Sequence, residues 1–144
     1  MPVYADTSFL CFYFLPDANS GLALATVQSL GGPLVFTALH RLELKNAFAL
    51  AVFRGRISSP QTAAAWQDVA PDLRAGRLFP TRLNWYAALR QSAILSAQQT
   101  PATGCRSLDV LHVAAARQLG AQEFLSFDSR QRALAQLLGF VVRP

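Results

Sequence analysis

The first ten residues, Met1-Pro2-Val3-Tyr4-Ala5-Asp6-Thr7-Ser8-Phe9-Leu10, constrain the fold more than any other stretch of this chain. A short apolar run, Val3-Tyr4-Ala5, stops at a carboxylate; two hydroxyls follow, then a second apolar run from Phe9 to Leu15. This reads as a buried strand that turns straight into a helix, because Asp, Thr and Ser side chains accept hydrogen bonds from the free amides of a first helical turn. The same figure returns near the other end as Glu123-Phe124-Leu125-Ser126-Phe127-Asp128-Ser129-Arg130-Gln131. In a parallel sheet the strand C-termini share one edge, and ligands bind in the crevice outside it. Two strands that each finish in Asp can therefore bring together two carboxylates that are distant in sequence.

Between these strands the chain alternates apolar runs with helical patterns. Pro16 ends the first helix, Asp17 to Ser20 offer caps for a second over about 18–30, and Gly31-Gly32 closes it. Pro33 to Thr37 reads as the second strand, followed by a helix over about 38–53 that stops at Gly55. Ser59-Pro60, a cap with proline at the first helical position, opens a helix to about Ala75. Arg77 to Pro80 is a weak third strand. A helix over about 84–99 precedes a loop, Thr100 to Gly104; Ser107 caps a helix to about Leu119. Glu123–Phe127 is the fourth strand, Ser129–Leu138 a helix, and Phe140–Val142 a last strand. Strands alternating with helices imply an α/β domain, one unit over residues 1–144, with a parallel sheet between helical layers.

Composition sharpens the acids. Only 15% of the 144 residues are charged, and the Asp and Glu total is eight, against a net charge of +5. The cations are almost all Arg, with Lys45 the single Lys, and the pI is near 10.0. A basic balance is compatible with a polyanionic partner such as nucleic acid. Cys11 and Cys105, taken with His40 and His112, lack the close spacing of a structural zinc site, so free thiols are expected. The apolar N-terminus has no cationic leader, and no apolar run approaches the roughly 20 residues that span a bilayer. The expectation is a soluble, cytoplasmic protein with no membrane partner.

Asp6 and Asp128 taken singly are also ordinary helix caps. Glu43 lies on its helix nearly opposite Arg41 and Lys45, with Leu39, Asn46 and Ala47 as helical neighbours and Leu50 two turns on, and a carboxylate on an apolar side is costly unless something pairs with it there. Asp109 lies in a first helical turn, where the macrodipole favours an acid, yet its helical neighbours are His112 and Val113. Taken jointly, four carboxylates brought near the carboxyl edge would repel unless protons or cations hold them. All-oxygen ligands suit Mg²⁺ or Mn²⁺. Such an ion activates water and neutralises phosphoryl charge, which on a basic protein points to phosphodiester hydrolysis.

Four ordered pieces carry a resemblance: Tyr4 to Leu10, Leu39 to Leu44, Ser107 to Ala116, and Phe124 to Gln131. With these the chain resembles a PIN-domain ribonuclease of the kind found as the toxin in VapBC-type toxin–antitoxin pairs. The resemblance implies a three-layer α/β/α sandwich with a central, mainly parallel sheet, and a Mg²⁺- or Mn²⁺-dependent endoribonuclease. Its acidic quartet maps to Asp6, Glu43, Asp109 and Asp128. Asp6 and Asp109 match the positions most directly tied to metal, and Glu43 and Asp128 complete the site and orient the attacking water. Ser8 and Ser126 match supporting hydroxyl positions. It further implies an RNA substrate, a homodimer and an antitoxin whose tail covers the acidic groove.

Arg106, Arg130 and Arg132 stand near these acids and are candidates for phosphate contacts. His112 reads as a helix residue packing or bonding near the sheet, and His40, with no evident partner, as a surface residue. Trp66, Trp85 and Tyr86 read as core or dimer contacts, with base stacking as the alternative. Phe9, Phe12 and Phe14 are packing residues. The segment Ile57 to Arg82 matches nothing specific. A receiver domain would require a Lys late in the chain, and an Asp-nucleophile phosphatase a second acid where Ser8 stands. A non-catalytic PIN-like module that binds RNA or protein, or another metal-dependent phosphohydrolase, are the alternatives.

Overall fold

Short apolar runs flanked by helices on both sides can satisfy their backbone only by pairing with one another, and five of them do so. The computed structural model describes all 144 residues. Its strands are β1 (Val3–Ala5), β2 (Leu34–Phe36), β3 (Leu78–Pro80), β4 (Glu123–Leu125) and β5 (Val141–Arg143), in the order 3-2-1-4-5. Every pairing is parallel. The mainly parallel expectation thus becomes an all-parallel sheet, with β3 a full member.

Seven helices cover it: α1 (Thr7–Phe14), α2 (Ser20–Gln28), α3 (Ala38–Phe53), α4 (Ser59–Arg74), α5 (Trp85–Thr103), α6 (Ser107–Gln118) and α7 (Ser129–Leu137). Alternation along each strand splits the core into two layers. Val3, Ala5, Leu34, Phe36, Leu78 and Leu125 face α1 to α4, packing with Phe9, Leu10, Leu44, Phe48 and Val69. Tyr4, Val35 and Phe124 face α5 to α7, packing with Leu95, Val110, Val113 and Leu134. The result is a three-layer α/β/α sandwich. No helix is long and apolar enough to cross a membrane.

Helix ends depart from the sequence reading where capping is set by one-residue offsets. Ser58, not Ser59, caps α4, because its hydroxyl meets the Gln61 amide while Gln61 Oε1 accepts from the Ser58 amide at 2.7 Å. Arg106, not Ser107, is the capping position of α6, its amide bonded by Asp109. Thr100 to Thr103, expected as a loop, continue α5 through Pro101. Proline removes one donor but leaves the rest of the ladder. The helix ends only at Gly104, whose φ of +68° is left-handed and whose amide closes on Thr100 O at 2.8 Å.

The chain runs outward from β1 through β2 to β3, then returns to place β4 on β1's other side. The break between β1 and β4 is the topological switch point, where loops leave toward opposite faces and a crevice opens. Register aligns Ala5 with Leu125, Val3 with Leu34 and Phe36 with Pro80. The next residues, Ser126, Asp6, Thr37 and Thr81, therefore stand in a row along the carboxyl edge.

Candidate functional site

Asp6 follows β1 directly at the switch point and is 4% exposed. It caps α1, Oδ1 accepting from the Phe9 amide at 2.7 Å. Oδ2 accepts from the Ser8 hydroxyl at 2.8 Å and lies 2.9 Å from Ser126 Oγ. Burial pushes this carboxyl above its ordinary value, against the lowering effect of the Phe9 amide, His112 and both hydroxyls. A carboxylate held there without a cation is destabilised by its own charge.

Ser126, fully buried after β4, ties the rest of that side together. Its Oγ is also 2.9 Å from Gln131 Oε1 and accepts from the Asp128 amide at 3.0 Å. A hydroxyl has one proton, so Ser126 donates to Asp6 or to Gln131, not to both. Gln131 in turn donates from Nε2 to the Asp109 carbonyl at 3.1 Å, joining α7 to α6. Asp128 caps α7 through Oδ1, which accepts from the Arg130 and Gln131 amides. Asp109 turns Oδ2 onto Arg106, whose amide and Nε both lie 3.2 Å away.

Glu43 enters from α3. Its partner is His112 of α6, whose Nε2 is 2.5 Å from Oε1, with the Thr7 hydroxyl donating to the same oxygen at 3.0 Å. A carboxylate only accepts, so Nε2 carries the proton, and the Tyr4 hydroxyl serves Nδ1 at 2.9 Å. Burial raises the Glu43 pKa, but His112 and Thr7 outweigh it and hold the group below its ordinary value. Glu43 is therefore ionised at neutral pH.

His40 corrects the sequence reading: it is completely buried, not at the surface. The Thr37 amide donates to Nδ1 at 3.0 Å, which leaves the proton on Nε2, and Nε2 donates to the Ala5 carbonyl at 2.8 Å. Burial lowers its pKa to about 3, so the ring is neutral. It fixes the backbone just ahead of Asp6. Thr7, Gln131 and His40 were missed in sequence as parts of this network. A Thr-x-x-His pattern opening α3 is the one local signal that pointed to His40.

The network along this edge links the acid positions: Ser126 touches the Asp6 carboxylate and the Asp128 amide, Thr7 and His112 hold the Glu43 carboxylate, and Gln131 reaches the backbone carbonyl of Asp109. As the side chains stand, no three His, Cys, Asp or Glu close around a common point. The donor chemistry nonetheless fits a hard divalent ion, because each carboxylate keeps acceptor capacity. Glu43 Oε2, Asp109 Oδ1 and Asp128 Oδ2 accept no hydrogen bond, and Asp6 Oδ1 accepts one.

Of the candidate phosphate contacts, Arg106 is engaged by Asp109, and Arg132 donates to the Ser126 carbonyl at 2.8 Å. Arg130 is exposed and forms no ion pair. Phe9 is core, stacked on Phe127, with Phe12 against the same ring.

No family model matches the chain, and no curated protein matches it in sequence. Solved structures do. The crystal structure of Mycobacterium tuberculosis VapC20, a Sarcin-Ricin loop cleaving toxin, is 19% identical and superposes with a TM-score of 0.68 over 99% of each chain. FitAcB from Neisseria gonorrhoeae, 18% identical, also gives 0.68 over 100% of this chain and 97% of its own. The resemblance read from four short stretches of sequence and the superposition over the whole chain agree, and this protein has the three-layer α/β/α fold of VapC20 and FitAcB.

Proposed function

We propose that the chain is a Mg²⁺- or Mn²⁺-dependent endoribonuclease that hydrolyses phosphodiester bonds of single-stranded RNA, acting as the toxin of a type II toxin–antitoxin pair. The observation that carries this reading is Asp6 at the switch point, a buried carboxyl raised by desolvation, beside a Glu43 carboxylate held by His112 and Thr7 with Oε2 left without a hydrogen bond. The likeness to a toxin that cleaves the Sarcin-Ricin loop supports it at the level of fold.

In this reading Asp6 and Asp109 hold the ion, with Glu43 and Asp128 completing the site. A bound divalent ion supplies Lewis acidity, lowering the pKa of water and offsetting phosphoryl charge. The chain's own work is positional. Ser8 and Ser126 fix the Asp6 rotamer through Oδ2. His112 and Thr7 clamp Glu43 Oε1 and leave Oε2 to orient the attacking water. With its pKa held down, Glu43 acts as an acceptor that aligns water rather than as a strong base. Arg106 and Arg130 at the rim are available to RNA phosphates. A cognate antitoxin and a homodimer belong to the same proposal, as does action in the cytoplasm.

The test is cleavage of single-stranded RNA by the purified chain with Mn²⁺, with Mn²⁺ plus EDTA, and by the Asp6→Asn and Asp109→Asn variants. Cutting by the parent with Mn²⁺ alone supports the proposal; equal cutting by the Asn variants overturns it.

A further inference from the structure

A cavity of about 500 Å³ opens beside the acids at the carboxyl ends of β2 and β3. Its walls include Thr37, Arg41, Thr81, Arg82 and Trp85, with Phe36 at the base. Thr37 is the residue next to Asp6 along the edge row, and its partner His40 holds the Ala5 carbonyl, so cavity wall and acid share one rigid connection. Thr81, at the far side, is two strand spacings from Asp6, roughly 10 Å.

The charges here are opposite to those at the switch point. Neither Arg41 nor Arg82 forms an ion pair, and no acid lines the cavity. Arg41 is steadied by aromatic faces instead, 5.4 Å from the Phe36 ring centre and 5.8 Å from that of Trp66. Lys45, one turn further along α3, sits 3.9 Å over Trp66 and extends the cationic face. Cation–π contact orders a guanidinium without neutralising it. The first turns of α3 and α5 also lie on this cavity, adding partial positive charge. Trp85 is half-buried, with ring surface left to the cavity.

We propose that this cavity is a nucleotide subsite for the RNA strand next to the bond being cut: Arg41 and Arg82 take a backbone phosphate, and a base stacks on Trp85. Single-stranded nucleic acid is the ligand class that needs both an uncompensated cation pair and an aromatic platform. The assignment of the strand as substrate rests on the nuclease reading above; the subsite as a binding site does not.

The experiment is fluorescence anisotropy of a labelled single-stranded uridine oligonucleotide with the full chain in EDTA, where binding proceeds without metal. Arg41→Ala/Arg82→Ala should weaken binding about tenfold or more and flatten the slope of log affinity against log salt by about 0.7, the share of one neutralised phosphate on a single strand. Trp85→Leu should weaken it about fivefold or more. Arg117→Ala, at the opposite end of α6, should change it little, and thermal melts of all variants should match the parent. Absence of binding by the parent, or equal losses in Arg117→Ala, overturns the subsite. Cleavage of the same oligonucleotide with Mn²⁺ separates the two claims. A parent that binds through these residues yet does not cut keeps the subsite and removes the nuclease. A parent that cuts with KM unmoved by the variants does the reverse.

Discussion

The two halves of the carboxyl edge differ in sign and in how their charges are held. Around β1 and β4 the acids are buried or partly buried, and every one is bonded: Asp6 by an amide and two hydroxyls, Glu43 by His112 and Thr7, Asp128 by two amides. Around β2 and β3 the cations Arg41 and Arg82 are exposed and unpaired. Like charges crowded at one place must be fixed by neighbours, because each alone would rotate toward water. Cations that meet a polyanion must instead stay uncompensated, or binding would first have to break their partners. One end of a sheet thus carries acids fixed by bonded neighbours next to exposed, unpaired cations.

The comparison breaks most visibly at Asp6. Asp6→Asn should lower RNA cleavage by about a thousandfold or more. It should at the same time raise the melting temperature at neutral pH. The folded-state pKa of Asp6 lies above its unfolded value, so its ionised form destabilises the fold once pH exceeds that value, and Asn removes the charge while keeping the cap. Calorimetry beside a cleavage assay checks both signs; a variant that melts lower and still cuts would show a purely structural cap.

His112→Gln tests whether the acidic half depends on its bonded partners. Loss of the short contact to Glu43 should reduce Mn²⁺ affinity and cleavage by about 10–100-fold, read by metal titration and by rate.

A third effect is on stability against pH. His40 is neutral in the fold with a pKa of about 3, while the unfolded ring protonates near 6.5. Stability is therefore lost as pH falls from about 6.5 toward 3, by about 2 kcal/mol between pH 7.5 and pH 5 from this group alone. Glu43 adds loss only lower, as pH falls through its depressed folded-state value. Urea melts at pH 7.5, 6 and 5 measure the slope; a flat profile above pH 5 contradicts the buried neutral ring.

The smallest effect sits where the two halves meet. Arg106→Ala frees Asp109 from an exposed pair worth little, so Mn²⁺ should bind tighter by no more than about fivefold. A rise in KM for RNA instead would make Arg106 a phosphate contact rather than a cover for Asp109.

Much of this architecture was legible because strand one and strand four announce themselves locally. An apolar triplet ending in Asp, with hydroxyls after it, dictates both a buried parallel strand and a capped helix, and two such figures dictate a shared edge. The partners of the acids were not legible in that way. Glu43 and His112 are 69 positions apart, on helices that cover opposite faces of the sheet, and only their side chains reaching the same carboxyl edge decides that they meet. His40 misled for a related reason. It showed no partner in sequence because the Ala5 carbonyl that takes its Nε2 proton lies 35 positions away, and the Thr37 cap holds the ring inward. Helix limits failed where a single residue decides, as at Ser58 against Ser59, or where a proline near a helix end removes one bond without stopping the ladder, as at Pro101.

The claim that the acids serve a divalent ion is tested most directly by anomalous diffraction from crystals soaked in Mn²⁺. The account predicts one strong peak at the β1/β4 switch point, ligated by Asp6 and by an Asp109 carboxylate turned away from Arg106. A fully soaked crystal with no peak at this edge, or with Mn²⁺ bound only elsewhere, would contradict it.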